Sequence, residues 1–163
     1  MHIIVAALTS PSETHMHLTL HTDYAMRLLM FLGLHPDRRC TIEEIAQHYR
    51  VSRNHLMKVA LTLTQQGFVD SLRGRNGGLK LGRAAAEIGI GAVVRATEDN
   101  LDLVECFDAK TNTCPIAPAC LLKQPFAEAV HAFIAVLDRY TLADLLANPK
   151  ILNSMRRLLD LRE

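Results

Sequence analysis

From position 16 the chain sets apolar against polar residues mostly with the period of helices, broken once by a strand-like stretch. In "MHLTLHTDYAMRLLMFLGL" Ala25, Leu28, Leu29 and Leu32 form one apolar stripe. Thr22 is the expected N-cap of this helix and places Asp23 in its first turn. In "TIEEIAQHYRVSRNHLMKVALTLTQQG", Thr41 and Glu44 fit a capping box, and Ile42, Ile45, Ala46 and Tyr49 repeat at helical spacing. Val51 and Ser52 break the pattern, and Ser52 caps a second helix that turns Leu56, Val59, Ala60 and Leu63 inward and stops at Gly67. Two short helices joined by a tight turn form a helix-turn-helix, although an ordinary helical hairpin gives the same pattern.

The next stretch separates those readings. "FVDSLRGRNGGLKLGR" predicts strand Phe68–Leu72, a Gly-rich turn over Arg73–Gly78, and strand Leu79–Leu81. Glycines at 74, 77 and 78 permit positive φ in that turn, and Arg73, Arg75, Lys80 and Arg83 stud the hairpin with cations. A basic hairpin directly after a helix-turn-helix is the wing of a winged-helix domain. Its arginines can pair phosphates or enter a minor groove. On this reading Ser52, Arg53, Asn54, His55 and Lys58 face base edges, while Arg73, Arg75, Asn76 and Lys80 hold the backbone of a double-stranded DNA operator.

Beyond a short helix in "EIGIGAVVRATED", a longer helix is expected from about Leu121 to Leu146, with Pro125 in its first turn. Phe126, Val130, Phe133, Leu137 and Tyr140 step by four and three, the seam of a helix that packs on another helix. Such a seam serves a homodimer or packs on its own domain, and a two-fold dimer matches a palindromic DNA site. The fold class is therefore mainly α with a small β-hairpin: a winged helix-turn-helix domain plus a long C-terminal dimerisation helix. Expected boundaries are a loose N-terminal extension over 1–15, the DNA-binding domain over 16–96, a loop and dimerisation helix over 97–147, and a tail over 148–163.

Composition narrows the function. The chain has 163 residues, 49% of them hydrophobic, so it can fill a core, and 5% aromatics with no Trp leave that core largely aliphatic. A formal net charge of +1 hides a division. Residues 16–95 carry 11 basic against 6 acidic side chains, and residues 96–163 carry 7 against 10, so the basic half is the one suited to an anion. No run reaches the roughly 18 apolar residues of a membrane span, and "IIVAAL" is too short for a signal-peptide core. A cytoplasmic protein without membrane attachment is expected. No Ser-His-Asp arrangement, P-loop or metal-hydrolase motif occurs, which argues against an enzyme.

Three of the four cysteines, Cys106, Cys114 and Cys120, lie in "ECFDAKTNTCPIAPAC". In a reducing compartment they read as metal ligands or redox groups rather than a disulfide framework. Their gaps fit neither the close pairs of a zinc finger nor a redox Cys-x-x-Cys. Wide spacing suits a body larger than one ion, such as an iron–sulfur cluster. Structural zinc with a histidine such as His131 as fourth ligand is the competing reading. Cys40 reads as a small, partly buried residue.

The stretches "LTLHTDYAMRLL", "VSRNHLMKV", "GFVDSLRGRNGGLKLG", "VECFDAKTNTCPIAPACLLKQ" and "FIAVLDRYTLADL" together resemble the NsrR family, nitric-oxide-sensing repressors within the IscR-like group of iron–sulfur winged-helix regulators. RirA- and IscR-type iron or redox regulators are close relatives that spacing separates poorly. The resemblance implies one cluster per subunit, 4Fe–4S with 2Fe–2S as the alternative, held by Cys106, Cys114 and Cys120. It also implies a fourth ligand, an aspartate from the partner subunit at the position of Asp23, with Arg27 one turn on to orient it. A histidine ligand shortly after the third cysteine, as in IscR-type proteins, has no counterpart in Leu121-Leu122-Lys123. Asp23 at a helix N-terminus has a second reading, a favourable charge on the helix dipole.

Overall fold

A computed structural model describes residues 17–75 and 77–159. The expectations for residues 1–15 and for Asn76 lie outside them. Seven helices and one hairpin are described: α1 Leu20–Leu34, α2 Ile42–Tyr49, α3 Arg53–Gln65, β1 Val69–Leu72, β2 Gly78–Leu81, α4 Ile90–Thr97, α5 Lys123–Leu137, α6 Leu142–Leu145 and α7 Pro149–Leu158.

α1 begins earlier than expected. Thr19, in extended conformation, is the N-cap and accepts from the Thr22 amide. Thr22 lies inside the helix, fully buried, and its hydroxyl meets that of Thr97 at 2.8 Å, where Thr97 also donates to the Val93 carbonyl. The buried hydroxyl pair explains why a threonine in the middle of a run of cap-forming residues is not the cap. Leu28, Leu29, Phe31 and Leu32 of α1 are buried against α2, α3, α4, α6 and β2. α2 has the expected Thr41/Glu44 capping box, and Ser52 caps α3 through the His55 amide.

The hairpin is antiparallel, pairing Val69 with Leu81 and Leu72 with Gly78. Its second strand has a further partner. Cys40 and Leu79 exchange backbone hydrogen bonds at 2.9 and 2.8 Å, so the segment before α2 adds a third edge to the wing. Cys40 is therefore fully rather than partly buried, and burial pushes its thiol up to about 11, which keeps it protonated. Gly74 and Gly78 carry φ of 106° and 146°, as the turn requires.

The long helix expected to reach Leu146 stops at Leu137. The Tyr140 carbonyl accepts from the Ile90 amide and the Leu142 amide donates to Ile88, pulling the chain into a short bridge beside α4. Thr141 then opens α6 with its own capping box to Asp144. Tyr140 thus leaves the predicted helical seam. The stretch expected as a tail contains α7, capped by Asn148 with Pro149 at the first helical position.

α5 joins α4 at a close crossing. Asp138 receives two bonds from Arg95, at 2.6 and 3.1 Å, which hold its carboxyl below the usual carboxylate range. A Cβ on buried Gly91 would overlap the Asp138 carboxylate and approach its backbone nitrogen at 3.1 Å. Gly91→Ala is expected to push the end of α5 off α4 and cost about 1–3 kcal/mol. The checks are a lower urea midpoint and loss of the Arg95–Asp138 contact.

Candidate DNA-reading face and cysteine loop

α3 buries Leu56, Val59, Ala60 and Leu63, which leaves the opposite face outward. Ser52, Arg53, Asn54 and Lys58 are exposed on it. Met57 and Leu61, 40% and 59% exposed, share that face. The sequence reading passed over them. Their signal was available: with Asn54 and Lys58 they repeat at helical spacing out of phase with the buried stripe. His55 sits differently. It is half-buried, its ring 4.8 Å from that of Tyr24 in edge contact and 6.1 Å from that of His21. Arg53 is bonded at 3.2 Å to Glu43 of α2, an exposed pair worth under about 1 kcal/mol and open to exchange for a phosphate.

On the wing, Arg73 and Arg75 are exposed, and no ion pair joins either to a described residue. Lys80 is exposed and lies 3.8 Å from Asp70. Arg83, the fourth cation of the hairpin, is exposed and also reaches back along its base. It donates to the Gln66 and Gly67 carbonyls and covers the Phe68 ring at 4.7 Å. Arg39 braces the hairpin, donating to the carbonyls of Asp70 and Gly78 and, at 2.7 Å, to the Asp70 carboxylate.

The second feature is the loop between α4 and α5. Single 3₁₀ turns at Glu105–Phe107 and Ala117–Ala119 shape it. Asp108 accepts from the Lys110 amide and the Thr111 hydroxyl, the Asn112 side chain caps the Cys114 amide, and the Thr113 hydroxyl donates to Glu105. Cys106, Cys114 and Cys120 are all partly exposed and none is in a disulfide. Among the described residues no three Cys, His, Asp or Glu side chains gather closely enough to hold a single metal ion. By donor type the loop fits an iron–sulfur group: three accessible soft thiols, with the fourth thiol of the chain sealed in the core. At the loop's entry Glu98 accepts from the Thr19 amide at 2.9 Å and the Thr19 hydroxyl at 3.1 Å, tying the loop to the start of α1. One turn into α1, Asp23 holds Arg27 through two bonds of 2.7 and 3.1 Å. The α5 face beside the loop is open: Phe126 and Phe133 are exposed, and Val130 and Leu137 half-buried.

A helix-turn-helix with a braced basic wing defines a winged-helix regulator of transcription. Residues 18–148 match the Rrf2 family, described as iron-dependent transcriptional regulators, and the chain belongs to that family. It is 48% identical over 144 residues to the HTH-type transcriptional regulator NsrR of Halalkalibacterium halodurans, covering 88% of this chain and 99% of that protein. It is likewise 48% identical over 149 residues to NsrR of Bacillus subtilis, covering 91% and 100%. The solved structure of T. potens IscR has the same fold, with a TM-score of 0.64 at 23% identity over 80% of this chain and 86% of that one. The relatives are regulators, not enzymes, and no described helix is long and apolar enough to cross a membrane.

The Arg39 brace generates a test of the wing. Hydrogen bonding from Arg39 holds the Asp70 carboxyl below its usual range, so what the pair contributes is present above the ordinary Asp pKa. It is lost as pH falls through the lowered folded-state value. Arg39→Ala should speed amide exchange across Leu79–Leu81 several-fold, leave α1 unchanged, and move the Asp70 titration upward by NMR, with Lys80 still holding part of the lowering.

Proposed function

We propose that the protein is a cytoplasmic, homodimeric, iron–sulfur-dependent repressor that leaves its operator in response to nitric oxide. The observation that carries this reading is the stretch from Glu98 to Thr141, which has no buried residue yet holds three unbridged thiols and an open apolar helix face. Hydrophobic burial within one chain contributes little to ordering such a segment. A bound group and a second subunit can supply more. The likeness to NsrR regulators supports reading the group as an iron–sulfur cluster and the second subunit as another copy of this chain.

On this reading Cys106, Cys114 and Cys120 supply three thiolates and Asp23 of the partner subunit supplies a carboxylate. When bound there, an iron–sulfur group, 4Fe–4S with 2Fe–2S as the alternative, offers irons to which nitric oxide adds. Carboxylate is a harder and weaker ligand for such iron than thiolate, so Asp23 is the ligand most easily exchanged. Arg27 holds the Asp23 carboxylate in place and limits its rotamers. Phe126, Val130, Phe133 and Leu137 form the subunit contact, joined by Tyr140 just beyond the helix. Ser52, Arg53, Asn54 and Lys58 face base edges, while half-buried His55 at the same turn is directed to Tyr24. Arg73, Arg75, Asn76 and Lys80 meet phosphates or the minor groove. Losing the tie between the loop and the partner's α1 frees each winged head to change its angle, and the two heads cease to match the operator spacing.

Anaerobic purification, an absorbance spectrum and nitric-oxide titration test the reading. Cys106→Ala, Cys114→Ala and Cys120→Ala should each abolish visible absorbance, whereas Cys40→Ala should leave it. Asp23→Ala should change the cluster's stability or its response to nitric oxide. A colourless, zinc-loaded protein overturns the cluster, and a brown protein whose DNA binding ignores nitric oxide reassigns the signal to iron or redox state. Arg75→Ala should weaken binding to all duplexes alike and lower the slope of log affinity against log salt by about one.

A further inference from the structure

Four aromatic or charged side chains run from the first turn of α1 to the first turn of α3. Asp23 grips Arg27 through both carboxylate oxygens. The Arg27 guanidinium carbon stands 5.6 Å from the centre of the Tyr24 ring and 5.9 Å from that of Tyr49, at the end of α2. Tyr24 meets the His55 ring edge-on at 4.8 Å. His55 in turn is one of the residues whose amide is capped by Ser52, so its backbone is part of the turn that opens the recognition helix. His21, bonded to Thr62 of α3 at 3.2 Å, lies with its ring centre 6.1 Å from that of His55. Arg27 is thus shared among α1, α2 and, through Tyr24, α3.

We propose that Tyr24 and His55 are positioning residues that carry the state of the Asp23 carboxylate to the recognition helix. While Asp23 holds Arg27, the guanidinium keeps Tyr24 in its rotamer and the ring edge sets His55 and the first turn of α3. When coordination in the partner's site draws one Asp23 oxygen off Arg27, or Asp23 is replaced, the Arg27 anchor loosens, Tyr24 loses its restraint, and the α3 turn is free to shift. His55 then serves as the last contact of this column rather than as a base-reading side chain. Its use as a signal route rests on Asp23 being a ligand, as proposed above. The column itself does not, and it can be tested without any bound group.

The test is a double-mutant cycle, since adjacency alone does not establish coupling. In the full-length, cofactor-free protein, at one pH well above the ordinary histidine range, the His55 ring carbon–proton resonances are assigned by His55→Gln. Asp23→Asn should shift them in the parent background, and the shift should vanish with Tyr24→Leu and return with Tyr24→Phe, which keeps the ring. A His55 signal that ignores Asp23→Asn, or that moves equally with Tyr24→Leu present, overturns the proposal. In the loaded protein, the ratio of affinities for a selected duplex between loaded and cofactor-free forms should fall towards one with Tyr24→Leu, with the visible spectrum unchanged. A purely structural Tyr24 would lower both affinities together and leave the ratio intact, which also overturns it. If Asp23→Asn leaves the spectrum of the loaded protein unaltered while the cofactor-free cycle behaves as stated, the ligand reading fails and the column stands.

Discussion

Burial of one face of α1 is the constraint on which the other parts depend. Leu28, Leu29, Phe31 and Leu32 are withdrawn almost completely from solvent, each worth roughly 1.5–3 kcal/mol of transfer free energy. The same helix touches the recognition helix, the wing, α4 and α6. Its N-terminal turn stays tied to that core through buried Thr22 and Ala25, while Thr19 is exposed and Asp23, Tyr24 and Arg27 are half-buried beside it. Both the cysteine loop, through Glu98, and α3, through Tyr24, make contact with this first part of the helix.

The second half of the chain is built on a different principle. From Glu98 to Thr141 nothing is buried, and the order present comes from side chains that cap their own backbone, as Asp108 and Asn112 do, and from the Arg95–Asp138 clamp onto α4. Segments with few buried apolar contacts open at low free energy. That property suits a sensor, which must answer a small ligand with a change of shape, and it does not suit a recognition helix. On the function proposed above, the packed head would read DNA and the unpacked loop would register the signal.

Local signals were readable where the chemistry is local. The Thr41/Glu44 box, the Ser52 cap, the inward stripe of α3 and the Gly-rich wing turn all follow from spacing and conformational preference, and the structure has each of them. The misses share a cause. Thr22 looks like a cap until Thr97, 75 residues away, is seen to take its hydroxyl. Tyr140 fits a helical seam until its carbonyl is claimed by Ile90. The restart at Thr141 and the helix after Asn148-Pro149 were legible in their caps and were passed over in favour of longer periodicities.

What the sequence by itself determined is the order of elements, the basic character of the first half and the presence of three clustered thiols, because each depends on residues near one another along the chain. What only the tertiary structure decided is which groups are already taken. Cys40 is sealed between α1 and the wing, Asp70 is held by Arg39, and His55 is turned to Tyr24. Meanwhile Met57 and Leu61 join Asn54 and Lys58 on the open face. Burial and partnership depend on contacts between distant segments, and a side chain's reactivity follows from them more than from its identity.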